Sequence, residues 1–212
     1  MLINGIKFDL RLYILVTSFS PLRIYFYRDG LVRFATEKYE NTAASSSNMY
    51  IHLTNYSINK HNSKFISTDE DDSGSKWYLF YINLYFKQVL FFRSFTALLN
   101  YLRTNGRNVD QLMDQINDMI IKTMISIEPF VNAAVNMFVP YRGNCFELFG
   151  FDVLVDNNLK PWLLEVNLSP SMACETPIDL RIKSQLICDI YNMVGVELYE
   201  YNKTVRPLPR RR

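Results

Sequence analysis

Apolar and polar residues alternate strictly near the start of the chain. In "IKFDLRLYILVTS" (6–18) Phe8, Leu10 and Leu12 fall on one side of an extended strand, and Lys7, Asp9 and Arg11 on the other. The pattern resumes in "PLRIYFYRDGLVRFATEKY" (21–39), and residues 6–39 together predict three antiparallel strands with a turn at Arg28-Asp29-Gly30. Between 40 and 76 Ser, Asn, Thr and Asp dominate, so loops are expected around one ordered segment, "MYIHLTNYSINK" (49–60). From Val109 the period becomes helical: Leu112, Met113, Ile116, Met119, Ile120 and Ile127 share one face, and Pro129 is expected just beyond the end. A last helix is signalled by Thr176 as N-cap, Pro177 in the first helical position and Gly195 at the stop.

Between these helices "CFELFGFDVLV" (145–155) and "KPWLLEVNL" (160–168) flank the turn residues "DNN" and predict a hairpin. A turn centred on Asn158 and Leu159 sets Asp152 opposite Glu165, with Asn167 on the same face. Apolar neighbours around Glu165 predict a buried strand, where an unpartnered carboxylate and amide would cost several kcal/mol. A hydrogen-bond network or a cation must then compensate, unless this is an edge-strand face turned to solvent. Three converging oxygen ligands suit a hard ion such as Mg²⁺, which fills its remaining positions with water and phosphate oxygens. Gly150, two residues before Asp152, leaves room for a ligand or another stretch of backbone.

Composition narrows the class. The 212 residues are 49% hydrophobic and 15% aromatic, enough for a sizeable core, and a net charge of +2 gives no sign of nucleic-acid binding. Cys145, Cys174 and Cys188 are odd in number and lack CxxC spacing, which speaks against a disulfide framework or a zinc site and fits a reducing, cytoplasmic setting. The most membrane-like stretch, "YLFYINLYFKQVLFF" (78–92), is shorter than the roughly 20 residues of a spanning helix and is interrupted by Lys87 and Gln88. No membrane association is expected.

Five motifs, "KFDLRLYILVTS", "GLVRFATEKY", "HLTNYSINK", "FELFGFDVLVD" and "KPWLLEVNLSPSM", stand in the order and approximate spacing of the tubulin–tyrosine-ligase-like enzymes, a branch of the ATP-grasp ligases. The resemblance covers roughly residues 2–195. With "TPIDLRIK" (176–183) it looks closest to the tubulin polyglutamylases of that family. It implies an α+β, ATP-grasp-like fold, an antiparallel sheet flanked by helices. It further implies a ligase in which ATP phosphorylates a glutamate side chain of a tubulin tail and the amine of free glutamate attacks the acyl phosphate.

Carried over position by position, Asp152, Glu165 and Asn167 match the family's magnesium ligands. Arg11 and Arg33 match arginines that would act at the reacting centre, offsetting charge on ATP and on the amino-acid carboxylates. Lys7, Asp9, His52, Thr54, Asn55, Lys60 and Leu164 match nucleotide-binding positions, with Leu164 near adenine. The implied cofactors are ATP and Mg²⁺; the implied partners are the acidic tails of tubulin or microtubules and free glutamate. The protein would be a monomer in the cytoplasm, on the cytoskeleton and at the cilium or basal body.

The chain departs from the family at two places. It begins just before "KFDLR", so the fold should be incomplete at its N-terminus: residues 1–195 would be the C-terminal part of the catalytic domain and 196–212 a basic tail ending in "RPLPRRR". Residues 78–93 read as an insert between "GSKW" and "SFTALLNYL". Without the family's earlier phosphate-binding lysines and adenine hinge, this chain alone is expected to be inactive. Two other readings are a nonenzymatic tubulin- or microtubule-binding module and a glycine ligase of the same family.

Overall fold

The computed structural model describes residues 1–42, 45, 47–62, 94–139 and 144–196; the expected insert at 78–93 and the tail beyond Val196 lie outside them. Asn4 and Gly5, with φ of 52° and 79°, join strand β1 (Leu2–Ile3) to β2 (Ile6–Phe19). Two successive positive φ values are what a tight two-residue hairpin loop requires. Strand β2 also pairs with β3 (Leu22–Lys38) and β4 (Glu147–Val155), and β4 pairs with β5 (Pro161–Leu168), every pairing being antiparallel. Strand β5 ends the order β1-β2-β4-β5, with β3 beside β2.

Residues 6–39 thus form two long strands rather than three. The chain reverses between Phe19 and Leu22, which pair directly, and β3 runs straight through Arg28-Asp29-Gly30. Gly30 pairs with Leu12 and Phe26 with Ile14, so the extra residues between them are absorbed as a bulge. The Asp29 carboxylate accepts from the backbone N–H of Gly30 at 2.9 Å and of Thr96 at 3.0 Å. It therefore ties the bulge to the following helix. A Cβ on residue 30 would lie 2.6 Å from the Arg11 carbonyl oxygen, so glycine is needed there for close strand approach.

The two faces of the sheet are covered differently. Phe8, Leu10, Leu12, Ile14, Phe151 and Val153 are fully buried beneath α3 (Phe95–Thr104) and α4 (Val109–Phe138), forming the main core. Ser94 and Asn108 cap these helices by accepting first-turn N–H bonds. Helix α4 continues past Pro129, contrary to the expected stop. Pro129 lies on its exposed side, where water can satisfy the bond proline cannot make, and the helix closes only at Val139, whose N–H donates to Val135 O at 2.9 Å.

On the opposite face α5 (Pro177–Val194) covers only part of the sheet, through Ile182, Leu186 and Ile190 against Tyr13 and Leu15. It begins as expected: the Thr176 hydroxyl accepts from Asp179 N–H while the Asp179 carboxylate accepts from Thr176 N–H, and Gly195 ends it at φ 75°. The uncovered part of this face carries Lys7, Asp9 and Arg11. Short helices α1 (Met49–His52) and α2 (Tyr56–Asn59) pack beside it on β3. Among the described residues no helix is long and apolar enough to cross a membrane, and the three cysteines are free and exposed.

Candidate active site

Strand register brings the polar residues of four strands together. Asp9 pairs with Arg33, Arg11 with Asp152, Asp152 with Glu165, and Gly150 with Asn167. The last two pairings match the expected hairpin register, but by a different route. The loop spans Asp156–Lys160, closed by Asp156 N–H to Lys160 O at 3.0 Å, and Leu164 is an unpaired residue between Val153↔Leu163 and Asp152↔Glu165. That bulge turns Glu165 and Asn167 onto the face of Asp152, while Leu163 pairs with core-facing Val153.

Two buried carboxylates and two guanidiniums form a closed cluster at the centre. Arg33 Nε and Nη2 donate to the two Asp9 oxygens at 2.7 and 2.8 Å, and Nη2 also reaches Asp152 Oδ2 at 2.8 Å. Arg11 grips the same aspartate bidentately, Nε to Oδ1 and Nη2 to Oδ2, the latter at 3.1 Å. Asp9 Oδ2 further accepts from the Thr54 hydroxyl at 2.5 Å. Both aspartates are nearly inaccessible, at 5% and 4% exposure. Burial pushes the Asp152 carboxyl upward, but the Arg11 hydrogen bond and the charges of both arginines outweigh it and hold it below the usual carboxylate range. The Arg33 guanidinium is held above its ordinary value: burial opposes its charge, and the bonds and charges of Asp9 and Asp152 prevail.

The remaining residues surround this cluster. Lys7 Nζ donates to the His52 carbonyl at 2.7 Å, so the lysine anchors the end of α1 to β2. The His52 ring lies 3.0 Å from Ser45 O through Nε2 and edge-on to Tyr39, within the loop rather than against the arginines. Asn55 opens α2, its carbonyl accepting from Ile58 and Asn59 N–H, and Lys60 is exposed just beyond that helix. Neither is brought to the cluster by a hydrogen bond or ion pair among the described contacts.

Glu165 departs from its expected burial. It sits exposed on the edge strand, with Oε1 accepting from Asn167 Nδ2 at 3.0 Å, and Leu164 is 54% exposed. Apolar neighbours suggested an interior strand, yet among the described residues β5 has a strand partner only on its β4 side, so the edge-strand alternative describes it. The room expected at Gly150 goes to the second of its two expected occupants, another stretch of chain. A Cβ there would lie 2.8 Å from Pro170 Cβ and 3.3 Å from Arg11 Cδ, so the glycine admits the returning chain and the arginine stem.

Could these residues hold the magnesium that the motifs imply? Their donor chemistry fits a hard cation, since register sets two carboxylates and the Asn167 amide on one face. Among the described residues no group of three or more His, Cys, Asp or Glu side chains clusters as a metal site, so the amide of Asn167 is needed to complete the set. One competitor is present: Asp152 already accepts three guanidinium N–H bonds. A guanidinium within about 4 Å of a divalent ion would oppose it by about 8 kcal/mol at an effective dielectric of about 20.

The sequence profile described as "Tubulin-tyrosine ligase family" matches residues 1–94 and 91–202. The chain belongs to the tubulin-tyrosine ligase family. It is 48% identical over 198 residues to the human protein named tubulin polyglutamylase TTLL5, covering 92% of this chain and 14% of that one. It is 45% identical over 199 residues to mouse tubulin monoglutamylase TTLL4, covering 93% and 15%, and 38% identical over 210 residues to Xenopus tropicalis tubulin polyglutamylase TTLL7, covering 96% and 21%. The chain thus spans about a seventh of the length of the TTLL5 and TTLL4 relatives.

Within this tubulin-tyrosine ligase family chain, three structural contributors were given no role by the motifs. Buried Asn59 donates to Leu53 O at 3.0 Å and accepts from the Thr36 hydroxyl at 3.1 Å; buried Asn62 donates to Thr36 Oγ1 at 2.8 Å and Glu37 Oε1 at 3.1 Å. Together they pin the Thr54 segment to β3. Their signal is the three-residue spacing of Asn59 and Asn62, which a turn closed by Asn62 N–H to Asn59 O at 3.0 Å brings to the same side. Tyr13, next along β2 from Arg11 on the same face, is fully buried, and its hydroxyl has no partner among the described residues. Burial pushes that hydroxyl up to about 12, with Arg11 pulling the other way.

Proposed function

We propose that the protein is an ATP-dependent tubulin glutamate ligase. The γ-phosphoryl group of ATP passes to a glutamate carboxylate of a tubulin tail, and the amine of free glutamate then displaces phosphate to form an amide. The observation that supports this most is the register placing Asp152 opposite Glu165 and beside Arg11 in a chain of this family. The names of the relatives, tubulin polyglutamylase and monoglutamylase, support glutamate as the amino acid joined.

Each residue has a role that follows from its surroundings. Asp152, Glu165 and Asn167 would hold Mg²⁺, which supplies charge neutralisation for phosphate oxygens. Arg11 and Arg33 present planar guanidiniums suited to carboxylate or phosphate. Asp9 acts on Arg33 by fixing its plane, Thr54 acts on Asp9, and Lys7 holds the loop that carries Thr54. The fold is read as the ATP-grasp type, and the site of action as the microtubule cytoskeleton, cilia and basal bodies included.

The test uses full-length protein with microtubules, ATP, magnesium and isotopically labelled glutamate or glycine, read by mass spectrometry of tubulin tails. Asp152→Asn and Glu165→Gln should each lower glutamate incorporation at least a hundredfold with the fold retained. Near-wild-type incorporation by either would overturn the assignment of ligands. Incorporation of glycine in preference to glutamate would overturn the substrate.

A further inference from the structure

Arg11 occupies a place that the proposed function does not explain. Its guanidinium is bound to the carboxylate that would hold the cation, and it uses both oxygens to do so. Arg33 differs, because its Nε and one Nη2 contact go to Asp9 and only a further Nη2 contact goes to Asp152. If Asp152 turned to another partner, Arg33 would remain paired. Arg11 would lose both of its carboxylate bonds. The Arg11 stem crosses Gly150, whose missing Cβ is what lets the side chain lie along β4 toward Asp152.

The cluster is also neutral as it stands. The charges of Asp9 and Asp152 cancel those of Arg11 and Arg33, and the nearby Lys7 and Glu165 cancel each other. A neutral, internally satisfied cluster offers little attraction to an anionic ligand. Exchange of one partner for a divalent ion changes that, since the ion brings positive charge and frees a bidentate N–H fork.

We propose that Arg11 is a resident counter-ion of Asp152, which a divalent cation displaces on binding, so that the released guanidinium becomes available to a carboxylate or phosphate. This rests on the reading of Asp152, Glu165 and Asn167 as cation ligands. Before loading, Arg11 neutralises a buried carboxylate that would otherwise be unpaired. After loading, the same arginine faces the ligand's anionic group. Cation and anion binding are thereby linked, and each strengthens the other to the same degree.

The experiment is a Mn²⁺ titration of the whole chain without nucleotide, by calorimetry and by the electron paramagnetic resonance of free Mn²⁺, with circular dichroism to establish folding. Arg11→Gln should bind Mn²⁺ at least tenfold more tightly than the unmodified protein. Lys7→Gln removes the same charge from the same face but does not touch Asp152, and should tighten binding less than threefold. In the unmodified protein, the ¹⁵N–¹H resonance of Arg11 Nε, assigned by its loss in Arg11→Gln, should move on addition of Mg²⁺. Mn²⁺ binding that Asp152→Asn abolishes, but that Arg11→Gln leaves unchanged or changes no more than Lys7→Gln, would overturn the exchange and leave the cation site standing. An Arg11 Nε resonance that stays in place while Mg²⁺ binds would do the same. No binding to the unmodified protein or to Arg11→Gln would overturn both.

Discussion

Arg33→Met is the substitution whose cost the structure defines most closely. Methionine keeps an unbranched stem that ends about where the guanidinium begins, so the change keeps the packing of the stem and removes the charge and three hydrogen bonds of 2.7, 2.8 and 2.8 Å. It leaves Asp9, 5% exposed, with Thr54 as its only side-chain partner among the described contacts, and Asp152 with Arg11 alone. Breaking a buried ion pair by removing one member costs about 3–5 kcal/mol. Because the Arg33 side chain is itself 18% exposed, water can reach part of the gap, and about 3 kcal/mol is the working value. For a domain of this size that lowers Tm by about 6–12 °C. The control is Lys122→Met, which breaks a pair with Asp118 of 2.6 Å on exposed side chains one helical turn apart. Its cost should stay below about 0.5 kcal/mol. Urea unfolding followed by circular dichroism measures both. Equal losses for the two variants, or a loss below about 1 kcal/mol for Arg33→Met, would refute the view that the carboxylates are buried and held by this arginine.

Two further outcomes follow from the same geometry. The Asp152 carboxyl is held below its ordinary value, so its contribution to stability is complete above the unfolded carboxyl pKa of about 3.9 and is lost as pH falls through the lower folded value. The stability gap between the unmodified protein and Asp152→Asn should therefore narrow below about pH 4 in urea titrations at stepped pH, and a constant gap would contradict it. Gly30→Ala places a Cβ 2.6 Å from a backbone oxygen that cannot rotate away, so β2 and β3 must separate near Arg11. A loss of about 2 kcal/mol is expected on the scale of overpacked sites, and unchanged stability would show that the strands can part freely.

Phe8 and Leu10 announced their face of β2 because each lies between charged neighbours, and Leu12 because it continues the alternation after Arg11; all three lie beneath a continuous helical layer. The terminal helix was legible for a related reason: its cap, proline and glycine act through bonds within a few residues. Elsewhere the deciding partner was distant in sequence. Arg28-Asp29-Gly30 carries turn chemistry, yet Asp29 spends its carboxylate on Thr96 and the strand continues. Burial of Glu165 depended on whether anything covers the outer side of β5, which its apolar neighbours cannot encode. The Arg11–Asp152 and Arg33–Asp9 pairs joined residues recognisable singly, but their mutual saturation appears only once the ladder is in register.

Leu164 gives the hairpin an unusual tolerance of changes in length. Between Asp152 and the loop, β5 holds one residue more than β4 needs. Removing that residue would restore a regular ladder with Glu165 still facing Asp152, whereas removing a residue from between Glu165 and Asn167 would send the amide to the opposite face. A deletion elsewhere in the loop could likewise be taken up by resolving the bulge. The ligand-bearing half of β5 is in this sense decoupled from the loop that precedes it, as a slack link in a chain decouples the pull on either side. Descendants of this sequence could shorten the 156–160 connection by one residue without re-aiming Glu165 or Asn167.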